Sequence, residues 1–475
     1  MRTERDALGE KSVPDEAYYG AQTQRAIENY PISGLRPHRQ MVRAIGLVKL
    51  AAAEANMTLG DLPRRVGASI AEAAGEVANG KWYDQFVVDA FQAGAGTSFN
   101  MNANEVIANR ALELLGRPRG DYGTVHPNDE VNMSQSTNDV FPTVMRLATL
   151  TLIRESLLPG LTGLEEDLRR KSEEFDGIVK SGRTHLQDAV PIRLGQEFSG
   201  YAQAVADGIQ SIKEASRGLR RLGIGGTAVG TGINTHPHYK EYVIRRLREL
   251  TGLPLEPAPN LFAVTQSTAD FARLSAAIRG MALELIRIAN DLRLLSSGPR
   301  TGLAEINLPA VQPGSSIMPG KVNPSMAEML TMVCFEVIGN DTTIAMATQA
   351  GQLELNVMTP VIAHDLLQSV EILGNATLMF AAKCVREITA NEAKCREYAE
   401  KSVALVTALS PKIGYLKAAE IAKEAIKQGR NLIEVARENL DLPEEELRKV
   451  LEPLHLTEPS DYTGREPAVE KAKAT

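Results

Sequence analysis

The segment LSAAIRGMALELIRIANDLRLL, residues 274–295, decides how the chain is read. Its apolar side chains fall at Leu274, Ile278, Met281, Leu285, Ile288, Leu292 and Leu295. Steps of four and three alternate strictly, which puts all of them on one stripe of a long helix that needs partners to bury it. Working outward, Leu157, Leu161, Leu164 and Leu168 repeat the spacing. So do Phe198, Tyr201, Val205, Ile212, Leu219 and Leu222, with Gly208 and Ala215 at the intervening seam positions. Two more apolar-rich stretches follow Pro324 and Pro360, the latter with Leu366, Val370 and Leu373 at helical spacing. Segments of this kind predict a helical bundle over residues 138–390, and the fold class is all-α in the main.

Ahead of the bundle, residues 1–137 read as a smaller, mixed but mostly helical domain. It combines extended pieces such as Tyr18-Tyr19-Gly20 with helices such as Met41 to Asn56. Behind it, residues 391–475 read as a small helical C-terminal domain, broken at Pro411-Lys412-Ile413-Gly414 and at Asp441-Leu442-Pro443. The polar stretch from Thr457 to Thr475 is expected to lack order. A length of 475 residues agrees with about three units.

Composition excludes several classes. With 43% hydrophobic and 23% charged residues, the chain is neither disordered nor a membrane protein by content. Its charged opening, and the lack of any apolar run near 18 residues, predict neither signal peptide nor spanning helix, hence a cytoplasmic protein. The net charge of −7 is dispersed, which disfavours nucleic acid and anionic membranes. Cys334, Cys384 and Cys395 form no C-x-x-C pair and read as buried fillers.

Four polar loops interrupt the apolar pattern, each expected just before a helix: Gly94-Ala95-Gly96-Thr97-Ser98, Ser134-Gln135-Ser136-Thr137-Asn138, Gly182 to Asp188, and Gly314 to Pro324. Helix N-termini present unpaired N–H groups and a partial positive charge, which suit a carboxylate. Taken singly, such Ser, Thr and Asn residues are as readily simple caps, and Asn323-Pro324 has the form of a cap and a first-turn proline. The last loop is too dense for a cap alone, because two serines, two glycines, two prolines, Lys321 and Asn323 prescribe an unusual backbone path.

Competing motifs fail. No G-x-S-x-G surrounds Ser315 or Ser316, so acyl transfer is weak. Gly223 to Ala228 fits G-x-G-x-x-A but follows a basic helix where a strand is required. His236 and His238 lack a third ligand nearby, and His38, His364 and His455 have no motif around them. No metal and no cofactor is expected.

The eleven residues GSSIMPGKVNP, Gly314 to Pro324, resemble the signature of the aspartase/fumarase superfamily, and the likeness runs over nearly the whole chain. That resemblance implies an N-terminal domain, a central five-helix bundle and a small C-terminal domain. It also implies a homotetramer with a twenty-helix core and active sites shared between three subunits. It assigns Ser315 as the base that removes the proton beta to the leaving group, with Lys321 and loop N–H groups stabilising its alkoxide, and Lys321 and Asn323 as carboxylate ligands, with Ser316 beside them. Thr184 and His185 come from another subunit, with Glu328 pairing with His185. Thr97, Ser98, Ser136, Thr137 and Asn138 contact the remaining polar groups. His126, Asn128 and Asp129 resemble a second dicarboxylate segment of fumarases, or else form a structural turn.

The resemblance implies a small dicarboxylate substrate and leaves two leaving groups in play. Tyr18-Tyr19-Gly20, the Ala95 and Thr137 loops, Asn307-Leu308-Pro309 and Gly351 to Met358 look like enzymes that deaminate L-aspartate to fumarate. Ala21 to Arg25, His126 to Asp129 and Asn234 to Pro237 look like class II fumarases, which hydrate fumarate to L-malate. Thr137 and the Ala95 loop are expected to touch the leaving group, so the reading favours deamination. A non-catalytic structural homologue is the remaining alternative.

Overall fold

The computed structural model describes residues 1–459. It is mainly helical, at 64% helix, as the periodicity predicts. The five long segments are helices. α1 is Thr137–Leu152, carried through a π turn at Ile153–Leu157 into Leu158–Glu174. α2 is Leu194–Ser216, α3 Ala269–Leu295, α4 Ser325–Gln349 and α5 Thr359–Lys383. The π turn has a local cause. Pro159 has no N–H to return to the Glu155 carbonyl, and Leu158 N–H bonds instead to the Ile153 carbonyl. Every seam residue of α3 from Leu274 to Leu295 is buried, none more than 5% exposed.

By internal contacts the chain divides into two compact units. The first comprises residues 1–161, 207–285 and 331–377. Here small and polar residues let helices approach closely. A Cβ on Gly208 of α2 would lie 2.4 Å from the Met281 methyl of α3, and one on Gly160 of α1 would lie 2.6 Å from the Gly374 carbonyl of α5. Ser275 of α3 donates to Asp341 of α4 at 2.6 Å, and Asn340 of α4 donates to Ser369 of α5 at 3.1 Å. The helices Arg39–Leu59, Arg64–Ala78, Thr97–Leu114 and Tyr239–Thr251 belong to the same unit. So does an antiparallel hairpin, Arg2–Asp6 with Gly9–Val13.

The second unit comprises residues 162–206, 286–330 and 378 onward. Phe175, Phe198 and Tyr201 stack edge-on between the end of α1 and the start of α2, with centroids 5.3 and 5.6 Å apart. The Tyr201 hydroxyl donates to Asp291 of α3 at 3.1 Å. Strands Val179–Thr184 and Gln187–Arg193 pair antiparallel with an irregularity between Ser181 and Arg183. The C-terminal helices Tyr415–Gln428, Leu432–Asn439 and Glu444–Val450 bury their own cluster, including Leu405, Leu409, Ile421, Val435, Leu447 and Leu451.

Three expectations need correction. Tyr18-Tyr19-Gly20 is not a strand; Tyr18 packs on Trp82, and the N-terminal strands lie earlier, in a charged hairpin without apolar alternation. The α2 seam outruns its helix, since Leu219 lies in the 3-10 turn Arg217–Arg220 and Leu222 in a short strand, both still buried. Gly182 to Asp188 precedes no helix directly; it is the tip of the second hairpin, and α2 begins at Leu194. Of the tail expected to lack order, residues 460–475 lie outside the described residues, while Thr457 closes the 3-10 turn Pro453–Thr457. No helix among the described residues is long and apolar enough to cross a membrane.

Candidate active site

In the first unit, Ser136 is a true N-cap. Its hydroxyl accepts from Asn138 N–H at 3.2 Å while Asp139 accepts from Ser136 N–H at 2.9 Å, a capping box at the start of α1. Asp139, 2% exposed, also accepts from Gly225 N–H at 2.9 Å and Thr227 N–H at 3.0 Å. The glycine loop rejected as a dinucleotide fingerprint therefore wraps around a carboxylate of its own chain. Burial pushes the Asp139 carboxyl up to about 6, opposed by these N–H groups and by Lys49.

Thr137 and Asn138 are each held by one side. Asn100 Nδ2 donates to Thr137 Oγ1 at 3.1 Å, and Asn138 Nδ2 donates to the Ala228 carbonyl at 2.8 Å, leaving Oδ1 as its acceptor. Asn100 sits on the helix opened by Thr97 and Ser98, so two of the four loops are joined by this bond. Ala95, at φ 61°, donates its N–H to the Val357 carbonyl at 2.8 Å and buries its methyl. Gly96 permits this, because a Cβ there would lie 2.2 Å from the Phe141 ring.

The second unit carries the other two loops. Gly314 N–H bonds to the Lys321 carbonyl at 2.8 Å, and Asn323 Nδ2 donates to the Gly314 carbonyl at 2.5 Å, so the loop closes on itself. No side chain fits at Gly314, where a Cβ would lie 2.4 Å from the Lys321 oxygen. Within the loop, Ser315 Oγ accepts from Ile317 N–H at 3.2 Å and from Met318 N–H at 2.9 Å. Two amide donors on one hydroxyl oxygen favour its deprotonated form. Lys321 and Ser316 are exposed. Asn323 is not a cap as expected, because the Pro324 carbonyl takes the first helical bonds, from Ala327 and Glu328 N–H, and the Asn323 amide is spent on loop closure.

Thr184 and His185 sit at the exposed hairpin tip. His185 and Leu186 form its two-residue turn at φ 56° and 59°, a conformation that glycine or asparagine usually supplies. The base beneath is rigid. Buried Glu305 accepts from Arg183 at 2.9 Å and pairs with Lys180 at 3.0 Å, while Lys180 also reaches Glu197 at 2.8 Å. Among the described residues no bond joins His185 to Glu328 within one chain.

Residues 9–339 match the family model described as Lyase, and residues 405–458 match Fumarase C C-terminus. The chain belongs to the fumarase/aspartase lyase family. Over 465 residues this lyase is 50% identical to the aspartate ammonia-lyase of Bacillus subtilis (strain 168), covering 98% of each chain. Over 463 residues it is 51% identical to the class II fumarate hydratase of Halobacterium salinarum, again 98% of each. Among solved structures it matches the fumarate lyase:delta crystallin from Brucella melitensis bound to cobalt. That likeness has a TM-score of 0.93 and 49% identity, covering 96% of this chain and 100% of that one.

His126 caps the π turn Pro127–Val131, its Nδ1 accepting from Asn128 N–H at 3.1 Å and Asp129 N–H at 3.4 Å. His38 caps the helix Arg39–Leu59, and burial together with His38 lowers the pKa of His364. His236 and His238 lie on an exposed turn, and among the described residues no group of three or more His, Cys, Asp or Glu could hold a metal ion. The three cysteines are buried, with thiols pushed up to about 12. Sequence reading passed over Lys49, Asn100, Asn132 and Glu305. A lysine on the buried face of an Ala- and Val-rich helix, and asparagines inside the run Ser98 to Asn104, were the available signals.

Proposed function

We propose that this lyase deaminates L-aspartate to fumarate and ammonia. The Ser315 alkoxide takes a proton from Cβ, and the electrons of that C–H bond pass into the adjacent carboxylate as an enediolate. Collapse forms the carbon–carbon double bond and expels the ammonium nitrogen as ammonia, leaving the proton on Ser315. Two amide hydrogens on Ser315 Oγ support the base role. Lys321 and Asn323 bind substrate carboxylates, with Ser316 adjoining. Thr97, Ser98, Ser136, Thr137 and Asn138 receive the rest of the diacid. Thr184 and His185, the latter paired with Glu328, are supplied by a neighbouring subunit of a homotetramer built on the bundle. The chain's division near residues 137 and 390 belongs to the same reading.

The choice of leaving group rests on Asn138. Its amide nitrogen is engaged by the Ala228 carbonyl, so it presents Oδ1, the acceptor that an ammonium group needs. The buried Ala95 methyl adds no competing hydroxyl. Hydration of fumarate to L-malate is the second reading, favoured by the equal likeness to the Halobacterium hydratase. Purified protein is incubated separately with L-aspartate and L-malate while fumarate is followed by ultraviolet absorbance. Fumarate from aspartate is expected; fumarate from malate alone reverses the assignment.

A further inference from the structure

Beneath the start of α1 lies a chain of side-chain hydrogen bonds that no reaction step above uses. Lys49, on the helix Arg39–Leu59, is fully buried and donates to Asn132 Oδ1 and Gln135 Oε1, both at 2.9 Å. Burial presses its ammonium down to about 7, with Asp139 opposing. Asn132 Nδ2 donates in turn to the Gln135 carbonyl at 3.2 Å. Asn100 Nδ2 donates to Asn132 Oδ1 at 3.2 Å and to Thr137 Oγ1 at 3.1 Å.

An asparagine amide can be turned over, and its direction is dictated by its partners. Lys49 donates to Asn132 on one side and the Gln135 carbonyl takes the Asn132 amide nitrogen on the other, so together they commit the Asn132 oxygen to face the lysine. Asn100 must then offer nitrogen to that oxygen. Among the described residues its own Oδ1 is left buried without a partner, as is that of Asn104, which donates to the same oxygen at 3.2 Å. Leaving such an acceptor unmade costs about 1–3 kcal/mol, so the orientation is imposed on Asn100 rather than chosen by it. Thr137 Oγ1, accepting from Asn100, keeps its own hydrogen to give elsewhere.

We propose that Lys49 is a positioning residue that sets the direction of this chain and thereby presents the Thr137 hydroxyl as a donor to a carboxylate oxygen of the substrate. The inference rests on the dicarboxylate reading of the site.

Binding of succinate, an unreactive dicarboxylate, is measured by calorimetry on the full-length protein and on Lys49→Met, Thr137→Val and the double variant. Each single change is expected to weaken succinate about 10-fold, the worth of one hydrogen bond to a charged group. The double variant is expected to lose no more than the weaker-binding single, because both changes cut the same chain. Asn100→Leu, which leaves Lys49 in place, is expected to repeat the loss and serves if Lys49→Met does not fold. Wild-type affinity in Asn100→Leu or in a folded Lys49→Met, losses that multiply in the double variant, or no succinate binding by the wild type overturns the proposal. Failure of the lyase reading is separate: it appears as wild-type protein that forms fumarate from neither L-aspartate nor L-malate.

Discussion

The start of α1 and the loop Gly314 to Asn323 are both rich in hydroxyls and amides, yet they are held in opposite ways. Ser136 to Asp139 are tied to Asn100, Gly225, Thr227 and Ala228, and the chain that fixes Thr137 ends on a buried lysine. The bonds that shape the 314–323 loop run between its own residues, and Ile317, Met318 and Val322 are 83, 51 and 51% exposed. A binding surface must hold its donors still to be complementary. A base that meets the substrate and leaves again is better carried on a segment that moves as one piece. On the proposed reading, the difference teaches that similar residue types can serve fixed recognition in one place and delivered chemistry in the other.

That contrast can be broken in order of effect. Ser315→Ala is expected to lower turnover by roughly 10³-fold, as for loss of a general base, with an unchanged melting temperature because no partner outside the loop is lost. Near-normal fumarate production would remove Ser315 from the chemistry. Glu305→Ala takes the carboxylate partner from Arg183 and leaves Lys180 with Glu197 alone at the base of the hairpin, and is expected to cost roughly 3 kcal/mol, read by urea denaturation. A loss under 1 kcal/mol would mean that the hairpin base is not the rigid support described.

Asp139→Ala removes the reciprocal half of the capping box and two further N–H bonds. A loss of about 2 kcal/mol is expected, with weaker succinate binding, whereas Ser315→Ala leaves stability intact. Equal stability of the two variants would erase the distinction between the regions. Smallest is Leu186→Gly at the hairpin tip, where φ is 59° and the side chain is 71% exposed. Relief of backbone strain is expected to stabilise the protein by about 0.5–1 kcal/mol, and a decrease in stability would show that the Leu186 side chain has a role of its own.

Much of the scaffold was legible. The α3 seam, the Leu157 to Leu168 row and the apolar stretches after Pro324 and Pro360 all became buried helix faces, because helical periodicity is a local property of the chain. The signature loop was legible too, since proline fixes φ and glycine admits backbone conformations closed to other residues wherever they occur. The hairpin at Gly182 to Asp188 was not. Its turn is His185-Leu186, without the Asn-Gly or Asp-Gly pair that marks such turns, and its φ values are held by the strands on either side. The N-terminal hairpin was missed for a related reason: RTERD and GEKSV carry no apolar alternation, and Arg2 secures them by donating to the carbonyls of Pro14, Ala17 and Tyr19.

The sequence by itself determined the helices, their apolar seams and the loop that carries Ser315, because each depends on spacing within a single segment. Only the tertiary structure decided which way the amides of Asn100, Asn132 and Asn138 turn, and that Lys49 and Glu305 are buried with their partners. Those partners come from distant segments, and a hydrogen bond acquires its direction only when both ends are in place.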